Sequence, residues 1–243
     1  MNADLVIADF SGVYEAEGFL LELQERGIPY QLVRMSDIEG TGCYCDPGSE
    51  AEIRRRLAPW SKCGLRWIDS GDYHYVSKIL ADAETEPFTL VLVDNHPDDQ
   101  EPAFGGVLSC GGWVREMKER NPMVEAVWTL GPDHRIRNDA GTVDRVLDGE
   151  IGDMLAALEG KRVYLSVDKD VLDRSAARTD WSQGTYPPAV LKGWIGDILK
   201  RKVVAVDLCG ELTPAKGATL EDLRINCMTN VELQEFILDC LKL

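Results

Sequence analysis

Apolar runs that could form buried strands alternate with amphipathic segments along the whole chain. The strand-like runs lie at 5–10, 29–34, 65–69, 88–93, 125–130, 162–167 and 203–206. The helix-like segments lie at 16–26, 50–57, 114–120, 149–159, 188–200 and 219–241. A further helix-like segment follows the run at 65–69 and ends at about residue 83. This order predicts a mostly parallel sheet covered by helices on both faces. No linker-like change in composition interrupts it, so the chain is predicted to form one domain over 1–243.

The most apolar run, 88–93, leads directly into potential metal ligands. Asp94, His96 and Asp98 follow it at alternate positions, and alternate side chains of an extended backbone point to the same side. Asp168 and Asp170 follow the run 162–167 with the same spacing. Ligands of parallel sheets bind beyond the carboxyl ends of the strands. Three further polar residues are predicted at that edge: His74, His134 and Glu211.

These side chains together indicate a metal site. A single aspartate after a strand is more often a helix cap or a loop acceptor, but two alternating groups on two strands favour metal binding. Four aspartates with one or two histidines form an oxygen-rich site that suits Mn(II) and similar divalent ions. None of the predicted ligand positions holds a cysteine, which argues against a preference for zinc.

Composition excludes several other classes of protein. The net charge of −16 argues against a nucleic-acid-binding surface, which needs clustered Lys and Arg. No apolar run is long enough to span a membrane, and the N-terminal segment lacks the basic region of a signal peptide. The seven scattered cysteines fit reduced thiols. We therefore predict a cytoplasmic enzyme without membrane or nucleic-acid partners, and a homo-oligomer is compatible with the sequence.

Three sequence blocks resemble the signature of the arginase and ureohydrolase superfamily. GDYHY at 71–75, DNHPD at 94–98 and SVDKDVLDR at 166–174 follow the order of that family's GGDHS, DAHxD and SxDxDxxDP blocks. The chain is therefore identified as a divergent, short member. The resemblance implies a three-layer α/β/α sandwich of the arginase/deacetylase type and two divalent metal ions, most often manganese.

The resemblance also implies a ligand set for each metal ion. One ion is held by His74, Asp94, Asp98 and Asp168. The other ion is completed by His96 and Asp170, with Asp94 and Asp168 bridging the two.

Two further positions match residues that contact the substrate in the family. Glu211 begins ELTP at 211–214, which resembles the E-x-N-P segment whose glutamate contacts a guanidinium or amidine group. Gln100 lies where arginases keep an asparagine for the substrate's carboxylate; a solvated loop amide is the alternative. Both residues are predicted to bind substrate.

The chain departs from the family pattern at two places near the metals. Tyr73 replaces the aspartate that precedes the metal-binding histidine, so a carboxylate that orients the imidazole is absent or comes from elsewhere. The segment 108–113 lacks the family's proton-shuttling histidine. His134 is predicted to replace it, with a surface-loop histidine as the alternative. Cys110 is predicted to line the substrate pocket, and a small buried thiol is the alternative.

The sequence therefore predicts a binuclear hydrolase that cleaves a C–N bond of a small guanidino or amidino substrate with a metal-bridging hydroxide. Asp98, His134 and Glu211 are the predicted catalytic residues. One alternative is a deacylase or other amide hydrolase on the same scaffold. Related deacetylases use one metal and a His-His pair, which this sequence lacks. A second alternative is a non-catalytic metal-binding or regulatory protein.

Overall fold

A computed structural model describes residues 5–101, 105–131 and 151–241, together with the backbone of 135–138 and 143–146. The strands are β1 (Leu5–Asp9), β2 (Gln31–Arg34), β3 (Tyr44–Cys45), β4 (Leu65–Ile68), β5 (Phe88–Val93), β6 (Leu108–Ser109), β7 (Val124–Leu130), β8 (Arg135–Asn138), β9 (Val143–Val146), β10 (Arg162–Asp168) and β11 (Lys202–Cys209). The helices are α1 (Val13–Ala16), α2 (Phe19–Glu25), α3 (Pro47–Leu57), α4 (Val76–Ala81), α5 (Trp113–Arg120), α6 (Gly152–Ala157), α7 (Pro188–Leu199) and α8 (Leu220–Leu241).

The main sheet has the strand order β2-β1-β4-β11-β10-β5-β7-β8-β9. The strands from β2 to β7 in this order are parallel, and β8 and β9 extend the sheet as an antiparallel pair. Strands β3 and β6 form a separate antiparallel pair. The predicted, mostly parallel sheet is confirmed.

Helices cover both faces of this sheet. Helices α1, α2, α6, α7 and α8 contribute to one hydrophobic cluster, and α3, α4 and α5 contribute to the other. Alternation along the strands supplies both clusters: Leu5 and Ile7 of β1 face the first, whereas Val6 and Ala8 face the second. Central parallel strands are apolar on both sides for this reason. The three-layer α/β/α fold is confirmed, and the assignment of 1–243 to one domain stays a prediction.

Two predicted elements differ from the structure. The predicted helix at 16–26 is divided into α1 and α2, because Gly18 adopts a left-handed conformation with φ of 88° between them. The strand predicted at 203–206 continues to Cys209. Asp207 therefore lies inside the sheet, where its carboxylate accepts a 2.6 Å hydrogen bond from Arg66. Asp207 belongs to the core and not to the edge that carries the metal ligands.

The long helix α8 packs against α2 and α7. Its side chains include buried polar residues, among them Asn226 and Asn230, as well as apolar ones. Within the described parts of the chain, no helix combines the length and the apolar character needed to cross a membrane.

Candidate metal centre

The carboxyl ends of three parallel strands bring the predicted metal ligands together: β10 and β5 are neighbours, and β4 is separated from β10 by β11. His74 follows β4 through a short 3₁₀ turn, Gly71–Tyr73. Asp94 directly follows β5, and Asp168 is the last residue of β10. All three side chains are almost completely buried. The edge predicted from the strand pattern is therefore where these side chains meet.

His74 is the centre of the first group of potential ligands. Its Nδ1 lies 3.1 Å from Asp94 Oδ2 and 3.1 Å from Asp98 Oδ2. Asp168 Oδ2 lies 3.7 Å from the same nitrogen. One ligand atom each from His74, Asp94 and Asp98 lies within 4.8 Å of the others, which is close enough for one ion to contact all three.

Asp94 also belongs to a second group, with His96 and Asp170. His96 Nδ1 lies 2.7 Å from Asp170 Oδ2 and 3.5 Å from Asp94 Oδ1. Ligand atoms of these three residues again lie within 4.8 Å of one another. The six predicted ligands are thus assembled at one place. The shared Asp94 agrees with the bridging position that the family resemblance implies.

The backbone around Asp94 requires a glycine on the neighbouring strand end. The Asp94 amide donates a 2.9 Å hydrogen bond to the Leu130 carbonyl, which brings the following Gly131 close. Gly131 has φ of 118°, and a Cβ there would lie 2.3 Å from the Asp94 carbonyl oxygen. Only glycine fits this approach without displacing Asp94.

Neighbouring side chains hold the ligands in fixed orientations. Ser166 Oγ lies 2.9 Å from His74 Nε2, and Ser182 Oγ lies 2.8 Å from His96 Nε2. Trp113 Nε1 donates a 2.6 Å hydrogen bond to Asp98 Oδ2. Such supporting contacts set the direction of a ligand's lone pairs. The His74 ring is therefore oriented by the hydroxyl of Ser166, which belongs to the 166–174 block, and not by a carboxylate at position 73.

The crowded carboxylates make the metal-free site electrostatically unfavourable. Burial, followed by the nearby Asp94, raises the pKa of Asp98 to about 7 and raises that of Asp168. Burial and the neighbouring Asp168 raise the pKa of Asp170 well above its ordinary value. Divalent cations between these groups would offset both the cost of burying the carboxylate charges and the repulsion between them. The donor set, rich in carboxylates with two imidazoles, fits two divalent metal ions.

We expect metal binding to weaken as the pH falls below about 7. Because the pKa of Asp98 is raised to about 7, a proton occupies this carboxyl group at lower pH and must leave when a metal ion binds. Hydrogen bonds to Asp170 and Asp94 also raise the pKa of His96 to about 11, and this ring must lose its proton as well, so the affinity should fall at least about tenfold per pH unit. Titration of the metal-free protein with Mn²⁺ at pH 6, 7 and 8 measures this slope. Equal affinities at pH 6 and pH 8 would contradict the expectation.

A cavity of about 120 Å³ opens onto the two ligand groups. Its wall includes two of the predicted substrate-binding residues, Gln100 and Cys110, and also Tyr44 and Trp181. Trp181 packs edge-on against His96 with 5.9 Å between ring centroids, and its Nε1 donates a 3.0 Å hydrogen bond to Asp72. Trp181 was not anticipated from the sequence, because it follows the 166–174 block in an irregular segment and matches no ligand motif. Contact of Gln100 and Cys110 with substrate stays a prediction.

Glu211 has a different environment from that of the cavity wall. Its side chain is fully buried, and its carboxylate contacts Lys169 Nζ, Asn226 Nδ2 at 2.8 Å and Asn230 Nδ2 at 2.9 Å. Glu211 is not among the residues that line the cavity. The structure therefore gives this carboxylate partners within the protein, and its predicted substrate contact and catalytic role stay predictions. His134 lies outside the described residues, so its role as a proton shuttle also stays a prediction.

The structure adds a thiol that the sequence pattern did not reveal. Cys209, at the end of β11, is buried, and its Sγ donates to Asp168 Oδ2 over 3.3 Å. His74, Asp168 and Cys209 form a third group whose ligand atoms lie within 4.8 Å of one another. The predicted ligand positions hold no cysteine, but Cys209 lies beside two of them. Cys209 belongs to no ligand block, and only its pairing with β10 brings it there.

One sequence relative shows the family of this chain. No family model matches the sequence. An uncharacterized protein of Thermotoga maritima is 31% identical over 210 residues, which cover 86% of this chain and 80% of the relative.

Solved structures show the class of fold. Formimidoylglutamase from Bacillus subtilis superposes with a TM-score of 0.68 at 18% identity, over 100% of this chain and 88% of that chain. Proclavaminate amidino hydrolase from Streptomyces clavuligerus gives 0.67 at 18% identity, over 96% and 90%. Trypanosoma cruzi formiminoglutamase with Mn²⁺ gives 0.65 at 14% identity, over 98% and 94%.

Agmatinases and an arginase are also similar in structure. The chain has the arginase-like fold of these enzymes, in agreement with the resemblance read from its ligand blocks. By sequence, the chain belongs to the same family as the Thermotoga maritima protein.

Proposed function

We propose that this protein is a binuclear metal-dependent hydrolase that cleaves a C–N bond of a small guanidino, amidino or related substrate. The observation that carries the proposal is the pair of ligand groups joined by Asp94, because a shared carboxylate suits two adjacent ions. The similar structures named as amidino hydrolase and formimidoylglutamase support the reaction class. Manganese is the proposed metal, since carboxylate and imidazole donors predominate.

The ligands divide between a buried and an accessible side. Both histidines line the cavity, but His74 is deeply buried, whereas the His96 side chain is 29% exposed. When bound, divalent ions at such a site supply Lewis acidity and lower the pKa of a coordinated water from about 15.7 to about 7. The chain's own part is to fix the carboxylates: Asp94 Oδ1 accepts from the His96 amide at 2.6 Å, and Asp170 Oδ1 accepts from the Asn95 amide at 2.9 Å.

The cavity limits the size and shape of the substrate. A volume of about 120 Å³ is room for a few water molecules, which fits a small substrate group. The indole of Trp181 offers a planar wall beside His96, against which a flat sp² group such as an amidine can pack. The Gln100 amide, which also lines the cavity, can donate to and accept from the substrate.

The proposal is tested by incubating the manganese-loaded protein with guanidino compounds, formimino compounds, other amidines and simple amides. We expect release of urea, formamide or ammonia from at least one of the first three groups, and none from the Asp94→Asn variant. Hydrolysis of simple amides alone would instead support the deacylase alternative. Two bound ions with no hydrolysis of any compound would support a non-catalytic metal-binding protein.

A further inference from the structure

Cys209 lies where three elements converge on one side of the candidate metal centre. The parallel register pairs Cys209 of β11 with Asp168 of β10, so the two side chains are neighbours at the same strand ends. Only 1% of Cys209 is exposed, and its Sγ lies 3.3 Å from Asp168 Oδ2. His74 reaches the same point from the turn after β4. The sulfur therefore faces two predicted ligands of one ion.

Gly210 allows this close approach. It has φ of 98°, and a Cβ there would lie 2.2 Å from Asp168 Oδ1 and 2.8 Å from the Lys169 amide nitrogen. Any larger residue would separate the end of β11 from Asp168. The backbone at 209–210 is thus shaped to keep the thiol beside the carboxylate.

We propose that Cys209 is a thiolate ligand of the metal ion on the His74 side. The inference rests on the proposed function only in requiring that metal ions bind. As the ion binds, the Cys209 S–H bond breaks, its proton passes to solvent, and the sulfur lone pair forms the bond to the ion. The donors on this side are then one sulfur, one imidazole nitrogen and carboxylate oxygens.

A thiolate makes the two sides of the site chemically different. Sulfur donors favour softer ions, such as zinc, over manganese. The group of Asp94, His96 and Asp170 contains only oxygen and nitrogen donors and keeps the preference for manganese. The His74 side is therefore expected to select Zn²⁺ or Co²⁺ over Mn²⁺, which gives the centre two sites of unequal selectivity.

Absorption spectroscopy of the Co²⁺-loaded protein tests the inference. Wild type should show a thiolate-to-cobalt charge-transfer band in the near ultraviolet, and Cys209→Ser and Cys209→Ala should lose it while still binding cobalt at the other side. Cys110→Ser, which alters a buried thiol of the cavity wall, is the matched control and should keep the band. In competition, Cys209→Ser should lower the preference for Zn²⁺ over Mn²⁺ at least about tenfold.

The possible outcomes separate this inference from the proposed function. Cobalt-loaded wild type without the band, or a band that persists in Cys209→Ser, would show that Cys209 only donates a hydrogen bond to Asp168. The first of these outcomes is read on the wild type alone, so it does not depend on whether the variants fold. A band without hydrolysis of any substrate would uphold the thiolate ligand and overturn the hydrolase. Wild type that binds no cobalt would overturn both.

Discussion

Replacing Asp94 with asparagine is expected to abolish tight binding at both metal sites. Asp94 Oδ2 lies 3.1 Å from His74 Nδ1, and its Oδ1 lies 3.5 Å from His96 Nδ1, so the carboxylate belongs to both ligand groups. Asparagine keeps one oxygen to accept from the His96 amide but removes the negative charge. Residues that merely support ligands contribute up to about 100-fold in affinity, so loss of this shared ligand should exceed that figure.

The measurement is the metal content per chain after loading with Mn²⁺ and dialysis. Wild type should retain about two ions, as a binuclear site requires. The matched control is Asp207→Asn, because Asp207 is as deeply buried as Asp94 but bonds to Arg66 and Tyr164 in the core. This control should lose stability and keep its metal. If Asp94→Asn retained the wild-type metal content, the proposed bridging position would be wrong.

Replacing Lys169 with methionine is expected to lower the free energy of unfolding by about 3–5 kcal/mol. The side chains of Lys169 and Glu211 are both fully buried, and Asn230 Oδ1 accepts from the same ammonium group. Removal of the lysine leaves a carboxylate in the core without its counter-ion. Glu17 is a second buried carboxyl group beside this pair, and burial and the nearby Glu211 raise the pKa of Glu17 well above its ordinary value. Because Lys169 opposes that rise, its removal also costs stability at Glu17.

Urea denaturation of the metal-free proteins measures this effect without any contribution from bound metal. The matched control is Lys192→Met, because Lys192 forms an ion pair with Glu232 at the surface and should cost at most about 1 kcal/mol. The double variant Lys169→Met with Glu211→Gln should recover much of the loss, since it removes both charges together. A single-variant cost no larger than that of Lys192→Met would exclude a structural role for the buried pair.

The buried pair also bears on how the substrate is recognised. Lys169 lies between Asp168 and Asp170 in the sequence, but it is not among the residues that line the cavity. Its ammonium group contacts Glu211, which matches the family's substrate-binding glutamate. The Lys169 ammonium group thus occupies the contact with Glu211 that the resemblance assigns to the guanidinium group of a substrate. The walls formed by Gln100 and Trp181 are therefore the better candidates for substrate contact in the described part of the chain.

The ligand positions were predictable because they follow from local geometry. Asp94 and Asp168 lie at the ends of apolar strands. The extended backbone expected beyond them was wrong, because Lys169–Val171 is a 3₁₀ turn and Asp98 has φ of 46°, yet the short spacing still keeps Asp98 and Asp170 near the strand ends. Parallel strands end at the same edge, so the ligand blocks meet there. Neither step needs knowledge of which strands are neighbours. The surroundings of Glu211 could not be predicted in this way, because they depend on α8 packing over the end of β11.

By itself the sequence determined the class of sheet, the edge that carries the site and six of its potential ligands, because strand periodicity and short spacings are local properties. Tertiary structure alone decided which residue of β11 lies beside Asp168. The register shifts between Val163 and Tyr164, from Val163 opposite Val203 to Tyr164 opposite Ala205. Without this one-residue irregularity, Leu208 would stand opposite Asp168. Register depends on side-chain packing between strands distant in the sequence, and here it places a thiol in the candidate metal centre.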